Sequence, residues 1–395
     1  CYLVGEHPQV KVAVKKIRNC YLWVFADEVR DQPDGLGPGE PVEVRSPRGE
    51  ILGTGFYHPT ARVTVRLFHH KRIEPDAAFW RRRLQQALAL REPLRAQSNG
   101  LRLVYSEGDY LPGLVVDDFA DHLVIQCRTA GMDRIRPLIV ELLQKLRRPA
   151  SIYERSDVPA RQEEGLAFRT GQLAGVTPPR VRIAEHGVHF WVDIPGGQKT
   201  GFFSDQRDAR RHFASLLRPG DRVLDAFCYS GGFGLYAART GAAVTAVDKD
   251  EAALALAAAN AELNEVTARF ETVAADLFTW LPDSAAAGRV FDAISLDPPA
   301  LIKYKNQQNK GRGLLMDLIR PCLRMLRPGG LLHVSSCAYH VGPELLREAA
   351  RIAAGETGKR LLVAAETVQA ADHPYFLQMP ETQYLKGFTY RVLPD

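Results

Sequence analysis

No stretch of the chain is long enough to cross a bilayer: in 395 residues the longest uninterrupted apolar run, residues 252–259, is eight residues, where a span needs roughly 20. The first residues, with Glu6, His7 and Pro8, lack the apolar segment and small-residue cleavage site of a secretory signal, so a cytoplasmic protein is expected. The six cysteines (Cys1, Cys20, Cys127, Cys228, Cys322 and Cys337) include no close pair. That excludes a Cys-x-x-Cys metal site and argues against a disulfide framework, so no metal is expected and any special cysteine acts as a single thiol. Nor does one sign of charge dominate: 51 Lys and Arg against 46 Asp and Glu leave +5, which permits a nucleic-acid partner without requiring one.

What is present is ample material for a core, 46% apolar and 25% charged residues, in a length suited to two or three domains. Residues 1–75 read as short strands (10–14, 41–45, 51–57 and 61–68) around a Pro- and Gly-rich loop at 31–41. A small β-barrel or sandwich is expected there. Residues 76–185 mix helix (79–94 and 133–146) with strand (101–105, 122–127 and 151–155), an α+β domain that ends in a linker at 175–180. From 186 to 395, apolar strands at 223–227, 244–248, 269–275, 291–297 and 331–335 alternate with helical stretches, the α/β pattern of a doubly wound parallel sheet. Two further strand-like runs, 361–368 and 384–393, have no helix between them and should close the sheet as an antiparallel hairpin.

Residues with chemistry gather where these parallel strands end, the place where open α/β sheets bind ligands. The first strand runs through Asp225, Phe227, Cys228, Tyr229, Ser230, Gly231, Gly232, Phe233 and Gly234 into a helix. Glycines there let a ligand approach the backbone, and the helix N-terminus favours an anionic group, although the spacing is not Gly-x-Gly-x-x-Gly. Asp248 ends the second strand, 17 residues beyond Gly231, placed to accept ribose hydroxyls; Asp276 ends the third. A tight turn or a helix N-cap accounts for any one of these alone. Together they point to a nucleoside-bearing cofactor. The fourth strand ends in Asp297-Pro298-Pro299, a turn stiffened by its prolines, which holds a carboxylate suited to a planar amide or amidine edge. Cys337 follows the fifth strand, whereas Cys127 and Cys322 read as buried small hydrophobes.

These residues resemble the S-adenosylmethionine-dependent RNA 5-methylcytosine methyltransferases of the ribosomal RNA large subunit methyltransferase I family. Asp225-x-Phe-x-Tyr-Ser-Gly-Gly-Phe, Asp248, Asp297-Pro-Pro and Ser336-Cys337 carry the likeness in the sheet. Trp23-Val24-Phe25, the run 108–113, Ile152-Tyr153-x-Arg155-Ser156-Asp157, the run 199–207 and Asp372-His373-Pro374 extend it over nearly the whole chain. The resemblance implies an N-terminal β-barrel PUA-like RNA-binding domain (1–75), a small central α+β domain (76–185) and a class I, Rossmann-like methyltransferase domain (186–395). It implies methylation of C5 of a cytosine in 23S ribosomal RNA through a covalent adduct, with Cys337 as nucleophile and Asp297 holding the base. Asp225, Phe227, Ser230, Gly231, Gly232, Asp248, Asp276, Phe203 and Gln206 would bind S-adenosylmethionine, and Lys199, Arg207 and Lys303 would bind RNA. A homodimer is compatible with it. The alternatives are an RNA 5-methyluracil methyltransferase, which shares the cysteine chemistry, a non-catalytic RNA-binding module, and a nicotinamide oxidoreductase.

The implied chemistry sets a requirement. C5 of cytosine is a poor nucleophile until a thiolate adds at C6, yet at a pKa near 8.5 only about 3% of a thiol is ionised at neutral pH. The site must therefore favour the thiolate or deliver it on demand. A base must then take the C5 proton; the residue after Asp297 is Pro298 rather than a second cysteine, leaving His340 and His373 as candidates. The helix after residue 207, with Arg207, Arg210, Arg211 and His212, reads as a solvated basic face.

Overall fold

The computed structural model describes residues 7–12, 17–32, 34–302 and 304–394, the side chain of Arg18 excepted. They form two compact units: Cys1–Ile183 with Val192–Ser204 and Ala371–Gln383, and Ala184–Trp191 with Asp205–Ala370 and Tyr384–Asp395. Among the described residues no helix is long and apolar enough to cross a membrane.

The first unit contains a six-stranded sheet in the order Trp23–Phe25, Val63–His69, Ile51–Tyr57, Glu40–Arg45, Gln9–Val12, Val29–Asp31. Its strands follow the period of two that the sequence shows: Val42 and Val44 on one, Val65 and Leu67 on another, all fully buried in one core with Val10 and Val12. A five-stranded sheet follows, Arg169–Gly175, Ser151–Ser156, His122–Cys127, Leu114–Phe119, Gly100–Tyr105. Helices Ala77–Arg91 and Ala130–Arg147 cover it, burying Trp80, Leu84, Ile139 and Leu143 against Leu103, Val116 and Ile125. Asp76 caps the first of these helices, accepting the Phe79 N–H at 2.7 Å. The strand Leu114–Phe119 is absent from the sequence reading because it carries Asp117 and Asp118, residues depleted in strands. Both are buried, the first against Arg102 (2.8 Å) and the second against Arg147 (2.9 Å) and Arg95 (3.2 Å).

Two of the sequence motifs turn out to be one packing site of this unit. The guanidinium of Arg91, fully buried, donates to both oxygens of Asp109 (2.6 and 2.8 Å) and to the Asp372 carbonyl (2.9 Å). Asp372 in turn accepts the Arg102 N–H at 2.9 Å, and a Cβ on Gly108 would lie 2.3 Å from the Pro374 carbonyl oxygen. His373, a candidate base in the sequence, is buried in this cluster with Nδ1 3.1 Å from Asp372.

The second unit is built on a seven-stranded sheet, its strands numbered here β1 (Arg222–Ala226), β2 (Ala243–Asp248), β3 (Phe270–Ala274), β4 (Phe291–Leu296), β5 (Leu326–Ser336), β6 (Leu361–Val368) and β7 (Lys386–Val392). The order is β3-β2-β1-β4-β5-β7-β6, parallel except for β7, which runs antiparallel to both β5 and β6. The doubly wound sheet with its closing antiparallel hairpin is thus as read. The helices are α1 (Arg207–Ser215), α2 (Gly232–Arg239), α3 (Glu251–Leu263), α4 (Leu277–Ala286), α5 (Gln308–Met325) and α6 (Pro343–Glu356). Leu224, Ile294, Leu332 and Val334 of the sheet pack with Leu315, Leu318 and Ile319 of α5 in one fully buried core. That two-sided burial is why these strands read as continuous apolar runs. The connection between β6 and β7 is not a simple turn, since residues 371–383 return to the first unit.

Replacing Asp109 by Ala should leave the Arg91 guanidinium buried and uncompensated, costing about 3–5 kcal/mol. A urea titration of the full chain, followed by circular dichroism, measures this as a fall in the unfolding midpoint; Asp109→Asn, which keeps one acceptor, should fall less.

Candidate active site

The turn after β1 is held in a conformation that costs energy. Phe227 (φ 62°), Tyr229 (φ 48°) and Gly231 (φ 84°) all lie in the left-handed region within five residues, about 1–2 kcal/mol for each non-glycine residue. Two carboxylates fix it. Asp225, buried in β1, accepts the Gly234 N–H at 2.7 Å and the Ser295 hydroxyl of β4 at 3.2 Å. Asp248, half-buried at the end of β2, accepts the Tyr229 N–H at 2.9 Å and the Asp250 N–H at 3.1 Å. Ser230 is buried, its carbonyl taking a hydrogen bond from Asn260 of α3 at 3.0 Å. Burial pushes the Asp225 carboxyl up to about 7, with the charges of Asp297 and Asp248 adding to the rise and the Gly234 and Ser295 hydrogen bonds opposing it. The same burial, together with Asp225 and Asp248, pushes the Cys228 thiol well above its ordinary range.

A second cluster forms where β4 and β5 end. The register sets Leu296 beside Val334, so Asp297 comes level with Ser335, and Cys337 follows two residues later. The Ser335 hydroxyl donates to Asp297 Oδ1 and accepts from Gln206 Nε2 at 3.2 Å, a chain that fixes the direction of the Asp297 carboxylate. Gln206 is buried just before α1, and its Oε1 has no hydrogen-bond partner among the described residues. Asp205 beside it accepts the Tyr384 hydroxyl. Ser336 accepts the Ala338 N–H at 3.3 Å, turning the chain away from the strand, and Cys337 is left half-buried at the turn. The sequence reading missed Ser335 as the group that orients Asp297. Its only signal was its place two residues before Cys337; the contact itself depends on strand register.

The other expected residues are spread more widely. Asp276 lies two residues beyond β3, exposed, and caps α4 by accepting the Phe278 N–H at 2.9 Å. Phe227 is half-buried, its ring edge-on to Phe278 at 6.4 Å. Gly232 is glycine for a packing reason as well, because a Cβ there would lie 3.1 Å from Cδ of Arg210. Lys199 and Phe203 belong to the first unit, where the exposed ammonium sits 4.3 Å from the centre of the phenyl ring. Arg207 corrects the sequence reading: it is fully buried rather than presented to RNA, and it helps to offset the buried charge of Glu185. Arg210 is buried too, paired with both oxygens of Glu185 at 2.9 Å, so of the basic face expected on α1 only Arg211 is exposed, with His212 half-buried. Lys303 lies outside the described residues.

Comparison with known proteins matches this architecture. Residues 11–70 fit the family model of a PUA-like domain and residues 170–367 that of an S-adenosylmethionine-dependent methyltransferase. The chain is similar to a protein of Tolumonas auensis named ribosomal RNA large subunit methyltransferase I, 40% identical over 96% of this chain and 97% of that one. It is 38% identical, over the same shares, to the protein of that name from Photobacterium profundum. In fold it matches the crystal structure of SMU.776 complexed with SAH, with a TM-score of 0.85 and 23% identity over 97% of this chain and 100% of that one.

The cofactor is S-adenosylmethionine, and the donor set at the strand ends fits it. Asp225, Asp248 and Asp297 gather acidic groups that suit a cation such as a sulfonium, and the buried Gln206 Oε1 is an acceptor in want of a donor. Two outcomes follow. Asp248→Ala should weaken S-adenosylmethionine binding ten- to a hundredfold, on the order of 1.5–3 kcal/mol, measured by calorimetry. A bound cation also favours ionised Asp225 and so lowers its pKa from about 7. Affinity for S-adenosylmethionine should therefore rise with pH up to about 7 and level off above it. Titrations over a pH series should show a shallower rise for S-adenosylhomocysteine, which lacks the sulfonium, and a flattened one in Asp225→Asn.

Proposed function

The chain belongs to the ribosomal RNA large subunit methyltransferase I family, and from that premise we propose that it methylates C5 of a cytosine in large-subunit (23S) ribosomal RNA, with Cys337 as the nucleophile. A cytoplasmic location accords with that substrate. The observation that carries the reading is the contrast among the thiols. Cys228 and Cys322, like Cys127 in the first unit, are buried and pushed upward in pKa by that burial, whereas Cys337 stands half-buried beyond the end of β5, beside the strand that carries Asp297. Among the described cysteines of the second unit it alone is not fully buried, which supports the reading.

S-adenosylmethionine supplies an electrophilic methyl group on a sulfonium. The protein's part is to make C5 reactive enough to take it. The Cys337 thiolate adds to C6, and as the carbon–sulfur bond forms the C5–C6 double-bond pair becomes available at C5. After C5 has gained its methyl, a base removes the C5 proton, the double bond re-forms, and the thiolate leaves. Asp297, directed by Ser335, holds the N3 and exocyclic-amine edge of the ring. Asp248, Asp276 and the turn from Ser230 to Gly232 hold the cofactor, with Asp225 and Phe227 shaping that turn and Gln206 offering its free acceptor. By the family resemblance Phe203 serves the cofactor and Lys199 the RNA, and the PUA-like domain supplies further basic residues for the RNA backbone.

RNA carrying 5-fluorocytosine cannot lose its C5 substituent as a proton, so with S-adenosylmethionine present it should trap the chain in a covalent complex visible on a denaturing gel. Cys337→Ala should abolish the complex while retaining cofactor binding. A complex that survives in Cys337→Ala and maps to Cys228 or Cys20 would overturn the assignment. Trapping by 5-fluorouracil RNA in place of 5-fluorocytosine RNA would move the target to uracil.

A further inference from the structure

Lys386 is the first residue of β7, where its Cα pairs with Ser336 of β5, one residue before Cys337. A lysine is a poor occupant of that place. Its residue is 6% exposed, and burial brings the ammonium from its ordinary 10.5 down to about 8. Nζ is clamped by two carbonyl oxygens, those of Ala338 at 2.6 Å and Tyr384 at 2.9 Å, and no carboxylate pairs with it among the described residues. The charge that acts on it is that of the Cys337 thiolate, which favours the protonated amine.

Such coupling is reciprocal. Whatever a thiolate does to hold the proton on a neighbouring ammonium, the ammonium does equally to favour the thiolate. The other titratable groups on the elements around the end of β5 are Asp297 after β4, Asp205 and Tyr384 on the approach to α1 and β7, and Tyr339 and His340 in the loop beyond Cys337. The carboxylates among them oppose a second negative charge. Lys386 is the cation that offsets them.

We propose that Lys386 is a positioning residue for Cys337, an ammonium fixed by the Ala338 and Tyr384 carbonyls so that the thiol enters the reaction already ionised. It deepens the proposed function and rests on Cys337 being the nucleophile. The clamp matters because a free lysine side chain would swing to solvent, while one held by two backbone oxygens keeps its charge at a constant distance. It also supplies, from this chain's own residues, a standing thiolate preference, the first of the two ways in which the chemistry can be met.

The test is the rate at which iodoacetamide labels Cys337 in the full chain without RNA, followed across pH by mass spectrometry of its peptide. Lys386→Met should raise the midpoint of the Cys337 profile by about one pKa unit, slowing labelling at neutral pH about tenfold, and Lys386→Arg should bring it back toward the parent. Exposed Cys20 is the internal control and should not move. A Lys386→Met profile that superimposes on the parent overturns the proposal. Should that variant fail to fold, the pKa of Lys386 is read instead from its labelled 13Cε resonance in the parent and in Cys337→Ser. Loss of the thiolate should lower it, and an unmoved value overturns the proposal equally. Failure of the premise looks different: a 5-fluorocytosine adduct on another cysteine removes Cys337 as nucleophile yet leaves the labelling shift intact.

Discussion

A carboxylate taken out of water has to be given hydrogen bonds, and the working end of the second unit is organised around that requirement at Asp225. Its two oxygens are satisfied by an N–H from the start of α2 and a hydroxyl from β4. One side chain thereby ties the central strand, the following turn and the adjacent strand together. The left-handed residues of that turn would relax without such a tie, and Asp248 supplies a second one through Tyr229. What results is a row of acids at the strand ends whose mutual repulsion a cationic ligand would relieve. Burial, with the same crowding of negative charge added to it, pushes the Cys228 thiol well above its ordinary range, and the proposed role of Lys386 is to spare Cys337 that cost.

Much of this was legible in the sequence because the signals are local. Parallel strands buried on both faces announce themselves as apolar runs, and the acids and the cysteine that end them fall at fixed offsets from those runs. The Pro pair after Asp297 and the glycines after Asp225 are likewise features of adjacent residues. What stayed hidden depends on partners far away in the chain. Asp117 and Asp118 disguise a strand because their arginines lie on other elements; Arg207 looks like a surface residue until Glu185 is set beside it; Lys386 looks like the start of an ordinary edge until β5 is laid against it. Sequence shows what a side chain can do and leaves open what it has been given to do it with.

The motifs divide along the same line. Those at the strand ends of the second unit are the ones the proposed function draws on, whereas Gly108-Asp109 and Asp372-His373-Pro374 are two halves of one buried joint made by Arg91. A motif carried in the sequence can therefore mark a place where backbone and charge must fit, with no reacting atom near it. His373 illustrates this: as an imidazole before proline it invites a catalytic reading, and its surroundings give it a neighbour to support instead.

The order in which residues leave the ribosome gives the split first unit a further meaning. Its last piece, Ala371–Gln383, carries Met379, which is buried in the core with Leu22 and Val24, and Asp372, which completes the Arg91 joint. Gln383 lies 200 residues beyond Ile183, and at 5–20 residues per second roughly 10–40 s of synthesis separates them. For that interval the amino-terminal half of the nascent chain carries an open seam, an apolar socket and a guanidinium that has Asp109 but still lacks the Asp372 carbonyl, while the sheet of the second unit is still being made. The chain crosses between its two units five times, so neither can be finished as an independent product of translation.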